Sequence, residues 1–282
     1  MTSLCDVCPA PGYPHGYPPV VSLTLRQVAA TRYVLPLREG GSLPGLVEAD
    51  DLGMYVVKFH GAGQGPKVLV AEVVVGELAR ALGMPVPELV VVDVDPRLAS
   101  AEPDQEVQDL LRASPGLNLG LDYLPGSLGF EPAVDRIDPE LAAQILWLDG
   151  LTDNVDRTWR NPNLLTWHRR PWLIDHGAAL YWQHHWATRE GAITRPLRTA
   201  EEHVLLRRSA PLKVVDPLFG SLVTRGLLAD ILAAVPDDWL APEPDAPDLA
   251  AVRSAYVDLL VARLAARASW LDPLEATRAA AV

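Results

Sequence analysis

"NVDRTWRNPN" (Asn154–Asn163) is the stretch on which the reading of this chain turns. It follows an apolar run, "AAQILWLDGL", and together with Asp153 it gathers two acids, two arginines and three asparagines. In a chain that is 49% hydrophobic, that density of hydrogen-bonding groups needs a reason. A polar loop that caps a helix is one explanation, because Asp and Asn serve turns and caps in most proteins. A site that holds a charged ligand is the other.

The residues downstream favour the site. "NLLTW" and "PWLID" are short apolar runs separated by "HRR", the pattern of a β-hairpin. A hairpin folds back on itself, so Asp156 and Asn161 before it and Asp175 at its far end are expected as neighbours. Two carboxylates and an amide oxygen at one point suit a hard divalent cation such as Mg²⁺, which shares its coordination shell with phosphates. One of the acids stays free to orient a hydroxyl and accept its proton. That is the layout of phosphoryl transfer: a base Asp, an Asn five residues on, and an Asp opening a D-x-G on the next strand. Asp156, Asn161 and Asp175-His176-Gly177 supply those parts at that spacing.

Such chemistry also needs a cation on the nucleotide phosphates, usually a strand Lys held by a helix Glu. "LVEA" and "MYVVKF" read as strands around a "DDLG" turn, which puts Lys58 in an otherwise apolar strand on the face of Val56. "KVLVAEVVVGELARALG" carries Val70, Val74, Leu78 and Leu82 at four-residue spacing, the pattern of an amphipathic helix stopped at Gly83. Glu72 flanks its apolar arc and is the expected partner of Lys58. Glu77, on the other edge, is the fallback, and Lys67 near the helix start is read as solvated. "EGGSLPG" is a loop placed where a kinase flap covers the phosphates. There Gly40 and Gly41 would let backbone N–H groups approach phosphate oxygens, and Ser42 is an autophosphorylation candidate.

"PVPELVVVDVD" and "GLNLGLDYLPGS" read as further strands, and Pro139 opens a helix that runs to the Asp153 region. "DLAAVRSAYVDLLVARLAARASWL" reads as one long amphipathic helix. Trp147, Trp159, Trp167, Trp172, Trp182 and Trp186 are expected in the core of a helical second half. His184 and His185 read as packing residues rather than a metal pair. The expected class is α+β: a tail over 1–19, a β-rich N-lobe with one helix over 20–126, and a mostly helical C-lobe with the catalytic loop and metal-binding hairpin over 127–282.

Composition narrows the function classes. The net charge of -12, from 36 acids against 24 Lys and Arg, argues against general nucleic-acid binding and makes an anionic membrane a poor partner. No apolar run is long enough for a transmembrane helix, and no secretory signal opens the chain, so a cytoplasmic protein is expected. Cys5 and Cys8 form one CxxC in a Pro-, Gly- and Tyr-rich segment, a poor pattern for zinc even with His15 nearby.

"EVVVGELARALGMPVPE", "NVDRTWRNPNLL" and "LIDHGAAL" together resemble the HipA-like kinases, specifically the compact bacterial HipA-family kinase domains. The Asp-Arg-x-x-x-Asn and Ile-Asp-x-Gly arrangement is also similar to that of the phosphoinositide lipid kinases. The resemblance covers roughly residues 20–186. It implies a two-lobed protein kinase-like fold with Mg-ATP between the lobes. It assigns Lys58 to the phosphates, Glu72 to Lys58, Asp156 as catalytic base, Asn161 as a metal ligand and Asp175 as the principal Mg²⁺ ligand. It also makes the strand end at Asp122 and Tyr123 the hinge that meets adenine through backbone groups. Thr158 stands where many relatives carry His, and His176 stands where Asp-Phe-Gly has Phe. The expectation is an ATP- and Mg-dependent kinase acting on a protein Ser or Thr hydroxyl. The alternatives are a small-molecule or lipid acceptor, a nucleotide-binding pseudokinase, or a non-enzymatic scaffold.

Overall fold

Val and Leu dominate most of five segments in the first half of the chain, and each forms a strand. The computed structural model describes residues 24–37, 43–63 and 65–282. Gly40, Gly41, Ser42, Cys5, Cys8 and His15 lie outside the described residues. The strands are β1 (Arg26–Pro36), β2 (Gly45–Ala49), β3 (Met54–Lys58), β4 (Leu89–Val94) and β5 (Gly116–Asp122), closed into a barrel in the order β1-β2-β3-β5-β4. β2 pairs antiparallel with β3 (Val47 opposite Tyr55), and β3 pairs with β5, which sets Lys58 opposite Leu119. β1 runs parallel to β4 and is one long strand where the sequence mixes strand and helix patterns. Val28, Val47, Tyr55, Val57, Val90 and Val92 fill one core cluster with Val107 and Leu111 of α2 (Gln105–Ala113), a helix absent from the sequence reading.

α1 (Pro66–Ala81) departs from its expected amphipathic character. Every residue from Leu69 to Ala79 is buried, because the barrel lies on one side and later helices on the other. A helix covered on all faces needs no polar stripe. Its end is as expected: Gly83 takes φ 81°, with Gly83 N–H donating to Arg80 and Met84 N–H to Ala79, a left-handed C-terminal cap.

α3 (Pro139–Thr152) starts where Asp138 accepts the amides of Glu140 and Leu141, and it is apolar nearly all round. A second small sheet follows, β6 (Leu128–Gly129), β7 (Leu164–Trp167) and β8 (Arg170–Leu173) in that order. The hairpin turn is tighter than "HRR": Arg170 is already in β8, and His168 and Arg169 make a two-residue turn with φ 48° and 63°.

The remaining helices are α4 (Asp216–Leu222), α5 (Arg225–Ala233), α6 (Leu249–Ala265) and α7 (Ala268–Ala281). The single long helix expected from the pattern is therefore two, broken at Ala266 and Arg267, with Trp270 Nε1–H donating to the Arg263 carbonyl. The tryptophans divide. Trp147, Trp182, Trp186, Trp239 and Trp270 are buried, whereas Trp159 is 57% exposed. Trp167 and Trp172 stack edge to face on the hairpin, 5.3 Å apart. A continuous apolar core runs from α1 through α3 to α7. Among the described residues no helix is long and apolar enough to cross a membrane.

Candidate active site

α3 delivers the chain to the opening stretch, and local hydrogen bonds shape it. Asp153 leaves the helix in the left-handed region, and Asn154 Nδ2–H donates to Asp149 Oδ1 at 2.9 Å. Asn154 Oδ1 in turn accepts the Asp156 amide at 3.2 Å. Two amides then grip the Asp156 carboxylate: Asn161 Nδ2 at 2.7 Å and Asn163 Nδ2 at 3.0 Å, both on Oδ2. Asn163 sits at φ 49°, a conformation Asn tolerates better than most residues. The sequence reading used Asn163 only as the start of the hairpin; here its side-chain amide also holds the Asp156 carboxylate.

Arg157 sets the position of the whole loop from beneath. It is 1% exposed, and its Nε–H meets Asp149 Oδ2 at 2.7 Å. Its Nη1 donates to the carbonyl of Asn163, and its Nη2 to His176 Nδ1 at 3.2 Å. His203 Nε2 completes the cluster at 3.0 Å from Asp149 Oδ2. Burial alone would raise the Asp149 pKa, but the Arg157 charge and the His203 hydrogen bond outweigh it and hold the carboxyl at about 2. His176 moves the other way: burial, and then the Arg157 charge, push it down to about 3. The imidazole is neutral, and because Nδ1 accepts from Arg157 its proton lies on Nε2. Arg157 is thus a loop-positioning group, whereas Arg160 lies outside, its guanidinium 4.7 Å from the Trp159 ring centroid.

The second group of bonds converges on Lys58. Its Nζ is paired with Glu72 and lies 2.7 Å from Asp175 Oδ1. Glu72 uses its other oxygen on the His176 amide at 2.9 Å, so one helix carboxylate holds both the strand Lys and the segment carrying Asp175. Burial opposes the Lys58 charge, but the two carboxylates outweigh it and raise its pKa above the ordinary lysine value. Asp175 is carried below the usual carboxylate range by Lys58 against the opposing effect of burial. Gly177 permits this approach: a Cβ there would lie 2.5 Å from Val68 Cγ1 and 3.2 Å from Glu72 Oε1. Glu77 is not a second partner for Lys58; it lies 3.5 Å from Arg80. Lys67 is not solvated but paired with Glu243 at 2.7 Å.

Asn163 and Ile174 join the two groups, the Ile174 amide donating to the Asn163 carbonyl at 3.2 Å. At the strand end expected to meet adenine, the Asp122 amide donates to the Glu88 carbonyl and the Tyr123 amide to the Met54 carbonyl, so both amides are used within the chain. The oxygen chemistry fits a hard divalent cation. Asn161 spends its Nδ2 on Asp156 and keeps Oδ1, and the Asp175 side chain is 45% exposed. The described residues hold no group of three or more His, Cys, Asp or Glu that would cage a metal unaided. A cation here relies on few protein oxygens and on phosphates, as Mg²⁺ does. A cavity of about 680 Å³ lined by Leu25, Gln27, Val91, Leu117 and Asp230 includes none of these side chains.

The sequence profile of the HipA-like kinases matches residues 32–272, from β1 into α7. The chain belongs to the HipA-like kinase family. Among solved structures, the proinflammatory kinase CtkA of Helicobacter pylori aligns with a TM-score of 0.51 and 13% identity, over 92% of this chain and 100% of that one. At that identity the likeness is one of fold. No curated protein matches the sequence. For this HipA-like kinase, family membership implies ATP and a divalent metal in general terms. Asp149, Arg157, Asn163 and His203 join the expected residues as those that hold Asp156 in place. Arg157 and Asn163 stand inside the quoted stretch, but nothing in its spacing marks one as buried or the other as a carboxylate partner.

Proposed function

We propose that this HipA-like kinase transfers the γ-phosphoryl group of Mg-ATP to a Ser or Thr hydroxyl of a protein. The barrel with α1 would act as one lobe and the later helices as the other, with nucleotide between them. What carries the reading is the Lys58 ammonium shared by Glu72 and Asp175, together with an Asp156 carboxylate held by two side-chain amides, the two groups joined by the Ile174 amide on the Asn163 carbonyl.

Each residue has a role that its surroundings support. Lys58, kept charged by two carboxylates, binds phosphate oxygens. Asp156 accepts the proton of the acceptor hydroxyl, and the Asn161 and Asn163 amides keep its free oxygen directed while that proton moves. Asp175 and the Asn161 carbonyl oxygen would hold Mg²⁺, which offsets charge on the transferring phosphoryl group. Positioning and electrostatic complementarity supply most of the rate in such a site. The exposed Trp159 ring beneath Arg160 provides a rigid surface beside Asp156 for an acceptor chain, its amide fixed to the Glu202 carbonyl at 3.0 Å.

Radiolabelled ATP with Mg²⁺ tests this, using the wild type beside Asp156→Ala and Asp175→Asn. Transfer by the wild type and loss in both variants is the expected result. Mg-dependent ATP binding with no transfer would move the reading to a nucleotide-binding regulator. Absence of nucleotide binding would sink both.

A further inference from the structure

Lys67 is the second residue of α1, and its placement runs against the helix dipole. The N-terminal turn favours acids, yet the first turn of α1 holds none and carries this cation instead. The compensation is tertiary. Lys67 Nζ lies 2.7 Å from both the Gln183 carbonyl and Glu243 Oε1, and 5.9 Å from the Trp186 ring centroid.

Both partners are themselves fixed. Glu243 belongs to a tight turn closed by reciprocal backbone hydrogen bonds with Ala246, each 2.9 Å. Asp245 in that turn accepts Trp186 Nε1–H at 2.7 Å and pairs with Arg189. Gln183 is fully buried, and its Oε1 accepts the Tyr256 hydroxyl of α6 at 2.8 Å. The segment Tyr181–Arg189, which follows Asp175-His176-Gly177 closely in sequence, is therefore tied to α1, to the 243–246 turn and to α6. On α1, Val68 packs at Gly177 and Glu72 reaches Lys58 and the His176 amide, so a shift of the helix start is passed to the site.

We propose that Lys67 and Glu243 are positioning residues for phosphoryl transfer. They lock α1 and the segment after Asp175 in the arrangement where Lys58 meets Glu72 and Asp175. Glu243 and the Gln183 carbonyl hold the Lys67 ammonium without any added phosphate, so the lock is expected to need no modification of the chain. The inference rests on the phosphotransferase reading above, and it reaches beyond it to how the site is held active.

The test uses the full chain, treated with phosphatase and verified by mass, with Lys67→Met, Glu243→Gln, the double variant and Lys67→Arg. Each of the two single charge removals is expected to lower kcat about tenfold or more, with the KM for ATP changed much less. The double variant should be no worse than the weaker single one, because the two residues act as one pair. Lys67→Arg should restore most of the rate, and dephosphorylation should leave the wild type unchanged. Amide hydrogen exchange should rise in α1 and in residues 178–189 of Lys67→Met, with the barrel strands unaffected. Lowered Tm with unaltered kcat and local exchange would overturn the proposal, as would additive losses or a wild type that stops on dephosphorylation. A wild type without any transfer would refute the kinase reading, and the exchange data would then decide on their own whether the pair holds the two segments.

Discussion

At the scale of single residues, Lys58 and Glu72 are charges that cannot be removed singly. The Lys58 and Glu72 side chains are 9% and 0% exposed, so each is tolerable only beside the other. Lys58→Met leaves Glu72 buried without its counter-charge and should destabilise the protein by about 3–5 kcal/mol. Adding Glu72→Gln keeps an oxygen for the His176 amide and removes the orphan charge. The double variant should recover much of the lost stability in urea melts and still transfer no phosphate. A double variant as unstable as the single one would contradict the argument. Asp149 makes a pH prediction of the same kind. Its folded-state pKa, about 2, lies below the ordinary 3.8, so the unfolded chain takes up its proton first as pH falls. The stabilisation is complete above about pH 4 and disappears as pH falls through about 2, amounting to roughly 2 kcal/mol. Asp149→Asn is less stable at neutral pH because Arg157 loses its partner, but it should lose less stability across that window. Equal slopes for the two proteins in acid titrations of unfolding would exclude Asp149 as the cause.

At the scale of elements, α1 and the β7–β8 hairpin carry the site, and each offers one local test. Gly177→Ala puts a methyl group against Val68 and the Glu72 carboxylate, so α1 must move away from the Asp175 segment. Phosphoryl transfer should fall at least about tenfold while stability drops by only about 1–3 kcal/mol, the usual cost of overpacking. At the hairpin, His168 and Arg169 both occupy the left-handed region, which Asn and Gly accept more readily. His168→Asn with Arg169→Gly should therefore raise Tm by a few degrees, on the order of 1 kcal/mol, and leave the rate unchanged. These elements also show what the sequence made legible. Strands β2 to β5, the Gly83 stop, the Pro139 helix start and the hairpin were readable, because short-range patterns determine them, whereas β1 was not, its residues mixing strand and helix patterns. Lys58 and Glu72 were readable because strand and helix each place one charge in an apolar setting. The burial of α1 on every face was not, since the apolar residues that cover it come from distant segments. The Asp149–Arg157–His203 cluster was hidden for the same reason: His203 lies far along the chain, and an Arg within a polar loop gives no sign that it is buried. The division of the last helix was also concealed, because Val252, Tyr256, Leu260 and Leu264 keep one period up to the break.

At the scale of the whole molecule, one buried side chain joins the parts that surround the loop carrying Asp156. The last four carbonyls of α3 have no partners within the helix. Asp149 is served by the Asp153 and Asn154 amides and Thr152 by the Leu180 amide, while Gly150 and Leu151 depend on Arg263 of α6. Arg263 Nη2 meets Gly150 at 2.6 Å and Nε meets Leu151 at 2.8 Å, and Nη1 reaches the carbonyls of Ala192 and Arg195. Burial lowers its pKa only to about 10, so the guanidinium stays charged at neutral pH. It closes α3 where that helix hands over to "NVDRTWRNPN", and it anchors the chain between Asp175 and His203. Arg263→Met would leave the carbonyls of Gly150, Leu151 and Arg195 without donors and Ala192 with only the Arg195 amide at 3.4 Å, each buried unpaired carbonyl worth about 1–3 kcal/mol. A lysine cannot substitute at this position, because one ammonium lacks the planar fork that spans four acceptors. Both Arg263→Met and Arg263→Lys should lose stability and transfer together, with Tm down by about 10 °C or more. Asp156→Ala should lose transfer with Tm nearly unchanged, since its carboxylate bonds only two side-chain amides at the loop. Thermal melts and rates for the three variants separate support of the loop from chemistry within it. Full activity in a stable Arg263→Lys variant would show that α3 ends without needing the guanidinium.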